Sequence, residues 1–435
     1  MRRVNLLVTN TRNAQAYAII RALRPHANKI IATMEGDNRV SAWFSHAARS
    51  RLVDRCYFTP SPAADWRAGR IQRDNTETEE RYLRAVTQIC ETENIDTIVP
   101  SFDPHVYVFS KNKERFERLG VLIPVPEYET ILMSLDKYRT ICAAQEVGFP
   151  CPATRLAESE EELQEISKEL GFPLVIKPRV TAAGRGTAIV MGLQELLTHY
   201  REATLPGSYM IQEYIPGSQL RHVIFAISSA GLIRMCIGRR AIRSLYRLHQ
   251  HFGTAQESVD SHHTTQAARL VQKIGWRGVI AVQMKIDSRD GTPKLMEINP
   301  RMGHGVWNRI AVGINEPLMA LKVARGEELE AAGDCPAGTL FLNPVEDVLG
   351  LGVKIIDLIV HKFRVNVQGR TAIDASNAPP SFRELARSYK DTYLGRRRRL
   401  YDFYFTHFCT DPVVSIVWWL QILSVLRNVT RELGR

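Results

Sequence analysis

The 435-residue sequence contains no C-x-x-C pair and no apolar run long enough to cross a bilayer. Its seven cysteines, Cys56, Cys90, Cys142, Cys151, Cys236, Cys335 and Cys409, are odd in number and scattered, which fits a reducing cytoplasm and offers no zinc site. Met1-Arg2-Arg3 is basic, but the apolar stretch behind it is too short for a signal peptide and reads as a first β-strand. No helix-turn-helix, zinc-finger or RNP signature is present, so nucleic acid is not an expected partner. Two phosphate-binding fingerprints are also missing. The loop after the first strand is Asn10-Thr11-Arg12-Asn13-Ala14, without G-x-G-x-x-G, and no G-x-x-x-x-G-K-[ST] occurs.

Positive charge is in excess. The formal net charge is +11, and the 45% hydrophobic content is ordinary for a globular enzyme of two or three domains. Between Lys177 and Arg247 ten Lys or Arg stand against three Asp or Glu, a local surplus of seven. Such a concentrated surplus suits a small polyanion better than a nucleic acid.

The most informative stretch lies near residue 290. Val282-Gln283-Met284-Lys285-Ile286 and Leu295-Met296-Glu297-Ile298-Asn299-Pro300-Arg301 flank an Asp-Gly turn and read as a hairpin. Strand alternation places Leu295, Glu297 and Asn299 on one face, with Met296 and Ile298 on the other. Gln283 on the partner strand adds a third oxygen. An all-oxygen set with one charge suits Mg²⁺ that takes its other ligands from water and a nucleotide's phosphates, with Mn²⁺ an alternative. Arg301 follows as a clamp for phosphate or carboxylate.

Residues 1 to about 120 alternate strand and helix patterns, with strands at Val4 to Thr9, Lys29 to Thr33 and Thr97 to Pro100 and helices at Ala14 to Leu23 and Arg81 to Glu93. This implies a small parallel sheet with helices on it. Ser134 reads as the N-cap of a helix that runs through Val147. Pro173 to Pro178 reads as a strand entering the small-residue loop Thr181 to Thr187, whose backbone N–H groups can approach phosphates closely around Gly184 and Gly186. Tyr209 to Gly217 reads as a strand ending in a hinge whose backbone suits a flat heterocycle.

Taken together, Lys137, Val175-Ile176-Lys177-Pro178, Gly184 and Gly186, Gln212-Glu213-Tyr214-Ile215, and the set Gln283, Glu297, Asn299 and Arg301 resemble the ATP-grasp ligases in order and spacing. Within them the chain is most similar to the carbamoyl-phosphate-synthetase-like group. The resemblance covers residues 1 to about 330. It implies an α/β chain: a small parallel-sheet pre-grasp domain over 1–120, a two-lobed α+β ATP-grasp fold over 121–330, and a helical C-terminal extension over 331–435. It further implies that Lys137 and Lys177 hold ATP phosphates, that the glycine loop closes over them, and that Gln212, Glu213 and the backbone near Ile215 meet adenine. Gln283, Glu297 and Asn299 would hold Mg²⁺, and Arg301 would steady the transferred phosphoryl group. Gln219 stands where many relatives place a ribose-binding Glu, and Ala182-Ala183 where Ser-Gly is common.

The activity so implied is ADP-forming ligation, in which ATP converts a small-molecule carboxylate to an acyl phosphate and an amine or similar nucleophile displaces phosphate. Bicarbonate activation through carboxyphosphate is the enzymatic alternative, and an idle ATP-binding scaffold is the alternative of another class. Retention of Lys177, Glu297, Asn299 and Arg301 speaks against the scaffold. Gly238 to Arg247, rich in arginine, reads either as a clamp for a second anion or as a solvated face.

The last hundred residues lie outside the resemblance. Arg396 to Arg399 precede an apolar helix from Val413 to Leu426, which at ~1.5 Å per residue spans ~21 Å, short of the ~30 Å hydrocarbon core. Gln421, Ser424, Asn428 and Arg431 oppose Trp418, Ile422 and Val425, so residues 396–431 read either as peripheral membrane contact on a cytoplasmic face or as a helix packed on the enzyme or in a homodimer.

Overall fold

The computed structural model describes residues 3–36, 45–63, 71–181, 185–202, 207–217, 219–243, 255–259, 264–303, 305–333, 335–345, 347–359 with short gaps, 381–417 and 419–420. Three sheets organise them. The first holds β1 (Val4–Val8), β2 (Ala27–Glu35), β3 (Arg55–Thr59) and β4 (Thr97–Val99), all parallel, in the order β3-β2-β1-β4. The chain leaves β1 toward β2 on one side and later returns to its other side as β4. The crevice at the carboxyl ends of β1 and β4 is therefore the sheet's topological switch point.

The second sheet holds β5 (Thr154–Leu156), β6 (Leu174–Pro178), β7 (Ala188–Val190) and β8 (Tyr209–Glu213), in the order β5-β8-β6-β7. The helix Glu160–Leu170 covers one face. Its Leu163 and Ile166 fall on one stripe, Ser159 caps it by accepting from the Glu162 N–H, and Gly171 at φ +70° ends it. With Leu174, Ile176, Leu196 and Ile211 these residues form a core belonging to this lobe alone.

The third sheet is the largest. It holds β9 (Leu220–Ile227), β10 (Ile233–Arg243), β11 (Ala255–Val259), β12 (Gly278–Ile286), β13 (Pro293–Asn299), β14 (Leu340–Leu342) and β15 (Arg399–Tyr401), in the order β13-β12-β9-β10-β11-β14-β15. The segment after 330 thus adds two strands to this sheet. The first domain packs against it, since Leu6, Ile19 and Ile20 share one core with Ile224, Ala281 and Val414.

Several expectations change in detail. Ser134 closes the helix Tyr128–Leu135, and the next helix, Lys137–Glu146, is capped by Asp136, whose carboxylate accepts from the Tyr138 and Arg139 N–H groups at 3.0 and 3.3 Å. Asp136 wins because its extended backbone breaks the run and its oxygen satisfies the helix's first donors. The C-terminal helix begins near Asp411, and its described part reaches Leu420. Gln421, Ile422, Ser424, Val425, Asn428 and Arg431, with Trp418, lie outside the described residues. Val414 and Val417 are buried, whereas Val413, Ile416 and Leu420 are exposed. All seven cysteines are free.

Candidate active site between the lobes

The hairpin of β12 and β13 forms with Gln283 directly opposite Glu297 and Ala281 opposite Asn299. Residues opposed across an antiparallel pair share a face, so Gln283, Glu297 and Asn299 point the same way. Leu295 does not join them. The register slips at Met296, so that Met284 opposes Leu295, and Leu295 turns with Ile298 into the core beside Val282 and Met284. A β-bulge at Met296 adds one residue to the strand, which simple alternation from the sequence could not reveal.

The pairing continues across the sheet. Gln283 opposes His222 on β9, and His222 opposes Arg239 on β10, so both extend the row that begins at Glu297. Sequence reasoning missed His222, for no local pattern marks it. The arginine-rich stretch through Arg243 is the end of a strand, and Arg239 is buried. Burial pushes its guanidinium down to about 9; Arg309 acts in the same direction and Glu316 opposes. Gly305 lies against this guanidinium, and any Cβ there would overlap it.

The lysines arrive from the other side. On β6 Leu174 and Ile176 face the lobe's own core, so alternation sends Lys177 to the opposite face, toward the third sheet. Asp136 also pairs with Arg179, with Nη2 to Oδ2 at 2.5 Å, and the Lys137 N–H donates to the Arg179 carbonyl at 2.9 Å. These bonds staple the start of the Lys137–Glu146 helix to the end of β6. Lys137 Nζ consequently stands 3.5 Å from Glu297 Oε2 and donates to the Thr181 carbonyl at 2.9 Å. Lys177 is buried, and its ammonium is pushed down to about 8, chiefly by burial, further by Lys137, and against the pull of Glu297.

Thr181 opens the small-residue loop, and its hydroxyl donates to the Arg185 carbonyl at 3.0 Å. Gly186 sits at φ +69°, where a Cβ would meet Pro178 Cγ at 2.9 Å and the Tyr209 hydroxyl at 3.0 Å. Glycine is thus required by the loop's own packing. Gly184, with Ala182 and Ala183, lies outside the described residues.

At the hinge the two glutamine-glutamate neighbours diverge. Gln212 shares a face with Val175 and is buried, donating to the Thr154 hydroxyl at 2.9 Å. The Glu213 side chain turns the other way, accepting from the Ala153 N–H at 3.2 Å and from Arg289. Arg289 also holds Asp287, whose carboxyl it keeps below the usual range, so the hairpin turn ties the second lobe to the third sheet. Tyr214 and Ile215 are buried, and the Lys285 ammonium lies 5.2 Å from the Tyr214 ring centroid. Gly217 takes φ +104° with the Ile286 carbonyl 2.8 Å from where a Cβ would be. Gln219 is exposed. Neither Arg289 nor Lys285 carries a motif that would have singled it out.

Arg301 is engaged by the first domain. Its Nε and Nη2 donate to the two carboxylate oxygens of Asp103, each at 2.9 Å. Both side chains are largely shielded from solvent.

Among the described residues no three His, Cys, Asp or Glu side chains gather as a metal site. One carboxylate and two amides on a shared face fit a hard cation that draws its remaining oxygens from phosphates and water. The residues present therefore suit Mg²⁺ bound together with a nucleotide.

Comparison with known proteins bears on the family and the fold. Residues 134–305 match the ATP-grasp domain family and residues 75–124 the PylC-like N-terminal domain. The carbamoyl phosphate synthase large chain of Deinococcus radiodurans is 27% identical over 236 residues, covering 51% of this chain and 22% of that protein. The N-terminal section of the Methanopyrus kandleri large chain is 23% identical over 265 residues, covering 57% and 46%. The chain thus spans less than half the length of these curated relatives. Biotin carboxylase from Campylobacter jejuni, solved as a β-γ-ATP complex, superposes with a TM-score of 0.60 at 18% identity, covering 75% of this chain and 71% of that one. Residues 134–305 thus carry an ATP-grasp domain, and the chain is similar to the carbamoyl-phosphate-synthetase-like ligases of that superfamily.

Proposed function

We propose that this protein is an ADP-forming ligase that activates a small-molecule carboxylate as an acyl phosphate. The observation that supports it most is the convergence of Lys137, Lys177 and Glu297 from three separate elements. A buried ammonium beside a second ammonium is costly on its own, and a polyphosphate relieves that cost. ATP would lie between the lobes, with its base at the Gln212 to Ile215 hinge, where Glu213 contributes through its backbone while Arg289 holds its side chain. Lys137 and Lys177 would bind the phosphates, and the loop around Gly184 and Gly186 would cover them.

Glu297, Asn299 and Gln283 would hold Mg²⁺, which supplies charge neutralisation at the phosphate oxygens. A carboxylate oxygen of the acid attacks the γ-phosphorus, the bond to the β-bridging oxygen breaks, and ADP leaves. Arg301 offers donors to the phosphoryl oxygens, and Arg239, close to the Arg301 loop through Gly305, suits the acid's carboxylate. The nucleophile then attacks the acyl carbon, and phosphate departs. Measuring ADP release against a panel of organic acids and amines, with bicarbonate alone as one arm, tests the reading. Bicarbonate sufficing without an organic acid would select carboxyphosphate chemistry instead, and no stimulation by any acid would leave a nucleotide-binding scaffold.

A peripheral membrane contact is supported by a separate observation. Seven of the fourteen large apolar side chains exposed among the described residues lie within 382–420: Phe382, Leu394, Phe405, Phe408, Val413, Ile416 and Leu420. Arg396, Arg397 and Arg398 are exposed nearby in sequence, whereas Arg399 is spent on the Thr392 and Gly395 carbonyls. Cationic and apolar groups together match an anionic lipid surface. No helix among the described residues is long and apolar enough to span a membrane. Flotation with acidic liposomes at low salt should fall when Val413, Ile416 and Leu420 become Ser; unchanged flotation rejects the contact, and a concentration-dependent dimer lost in the same variant assigns the stripe to a second copy.

A further inference from the structure

Arg301, a residue of the proposed phosphoryl site, has its partner in the first domain. Asp103 opens the helix Asp103–Lys111, which follows β4 at the carboxyl edge of the parallel sheet. Two residues on, His105 is fully buried and pairs with Glu35 at the end of β2, and Glu35 in turn accepts from the Ser61 hydroxyl at 2.8 Å. The helix start is therefore anchored from β2 as well as from β4. A carboxylate fixed in this way makes a rigid reference point.

The pairing uses only part of the guanidinium. Asp103 takes Nε–H and one Nη2–H, the side-on edge of the fork. Arginine carries five N–H donors in one plane, so Nη1 and the second Nη2 hydrogen remain along the end-on edge. Nη1 is only 3.5 Å from the Met302 carbonyl, a weak contact. A second oxyanion can be clamped end-on while the side-on pair persists.

We propose that Asp103 is a positioning residue that fixes the plane of Arg301, so that its free edge meets the oxygens of the transferred phosphoryl group. The proposal rests on the ligase reading above and adds the first domain to the machinery. Without Asp103 the guanidinium would rotate about its last torsions and lose the alignment on which bidentate recognition depends.

The test uses MgADP with and without aluminium fluoride, a mimic of the phosphoryl group in flight, on the full chain. MgADP should raise the melting temperature of wild type, and aluminium fluoride should tighten its binding further. In Asp103→Asn the MgADP response should persist, and the additional tightening should fall about tenfold, the value of one well-aligned charged hydrogen-bond pair. Arg301→Ala should lose the same increment, and guanidinium ion at millimolar concentration should restore it only where Asp103 is present. Asp103→Glu, which keeps the charge one methylene farther out, should recover part of it. A full wild-type increment in Asp103→Asn, or guanidinium rescue that does not need Asp103, overturns the proposal. Absence of any MgADP response in wild type would instead count against the ligase reading. Should Asp103→Asn fail to fold, the Asp103→Glu and Arg301→Ala arms still decide the matter.

Discussion

Lys137 and Glu297 stand 3.5 Å apart although 160 residues separate them, one opening a helix and the other on the outermost strand of the large sheet. The pair is looser than a tight ion pair because Lys137 Nζ also donates to Thr181. Phosphate and metal can therefore enter between the two without breaking an ideal bond.

Replacing Glu297 by Gln keeps the shape and removes the charge. Turnover should fall by about a hundredfold or more, while the melting temperature changes little because the side chain is about one-third exposed. Near-normal turnover with intact folding would sink the assignment of Glu297.

Lys177, if it meets the phosphates as proposed, should couple nucleotide binding to protonation. Its folded pKa of about 8 lies below the ordinary 10.5. Charging it in the empty protein is thus unfavourable, a cost fully present below pH 8 and relieved as pH rises toward 10.5. Phosphates raise the pKa again, so ATP binding near pH 8.5 should take up a proton, and affinity should weaken above that pH. Calorimetry in buffers of different ionisation enthalpy should show the uptake in wild type and its loss in Lys177→Met. A buffer-independent heat in wild type contradicts it.

The products should be ADP and phosphate. Lys137, Lys177 and Glu297 gather where the proposed function puts the terminal phosphates, which would make the γ-phosphorus the electrophile. Hydroxylamine should convert the intermediate to a hydroxamate when ATP and the right acid are present, and stoichiometric AMP would show that the wrong phosphorus had been assigned.

Arg289→Ala should loosen the link between lobes. It leaves Asp287, almost fully shielded, without its main partner, and releases Glu213. Because Arg289 itself is about half exposed, the expected cost is only about 1–2 kcal/mol. The Asp287 share is present at neutral pH and disappears as acid titrates its lowered carboxyl, so wild type and variant should converge in stability below the ordinary carboxylate range. Denaturant midpoints that differ equally at pH 7 and at low pH would contradict this.

Much of the candidate site's geometry was legible because its residues sit on regular strands. That Glu297 and Asn299 share a face follows from alternation along one strand, and Lys177 from a strand whose other face is apolar, whereas Gln283 comes opposite Glu297 only through the bulge. The bulge at Met296 was not legible, since an extra strand residue leaves composition unchanged. Asp103, His222 and Arg289 were hidden for a different reason. Each acquires meaning only through a partner far away in sequence, Arg301 for Asp103, Gln283 for His222 and Glu213 for Arg289. The helix through Arg81 was expected, but its start at Glu77 depends on the capping box of Thr76 with Glu79.

The helix Ala14–Leu23 has nine of its ten residues buried, and its cover arrives late. It is packed by the helices Val306–Ala311 and Glu316–Ala324, while Tyr17 and Ser50 donate to Asp411 at 3.3 and 2.5 Å. During synthesis the helix Ala14–Leu23 therefore lacks part of its cover until residues 306–324 and Asp411 have left the ribosome. Such a nascent chain is a natural client for chaperones, and a fragment ending near residue 124 should be insoluble without the rest.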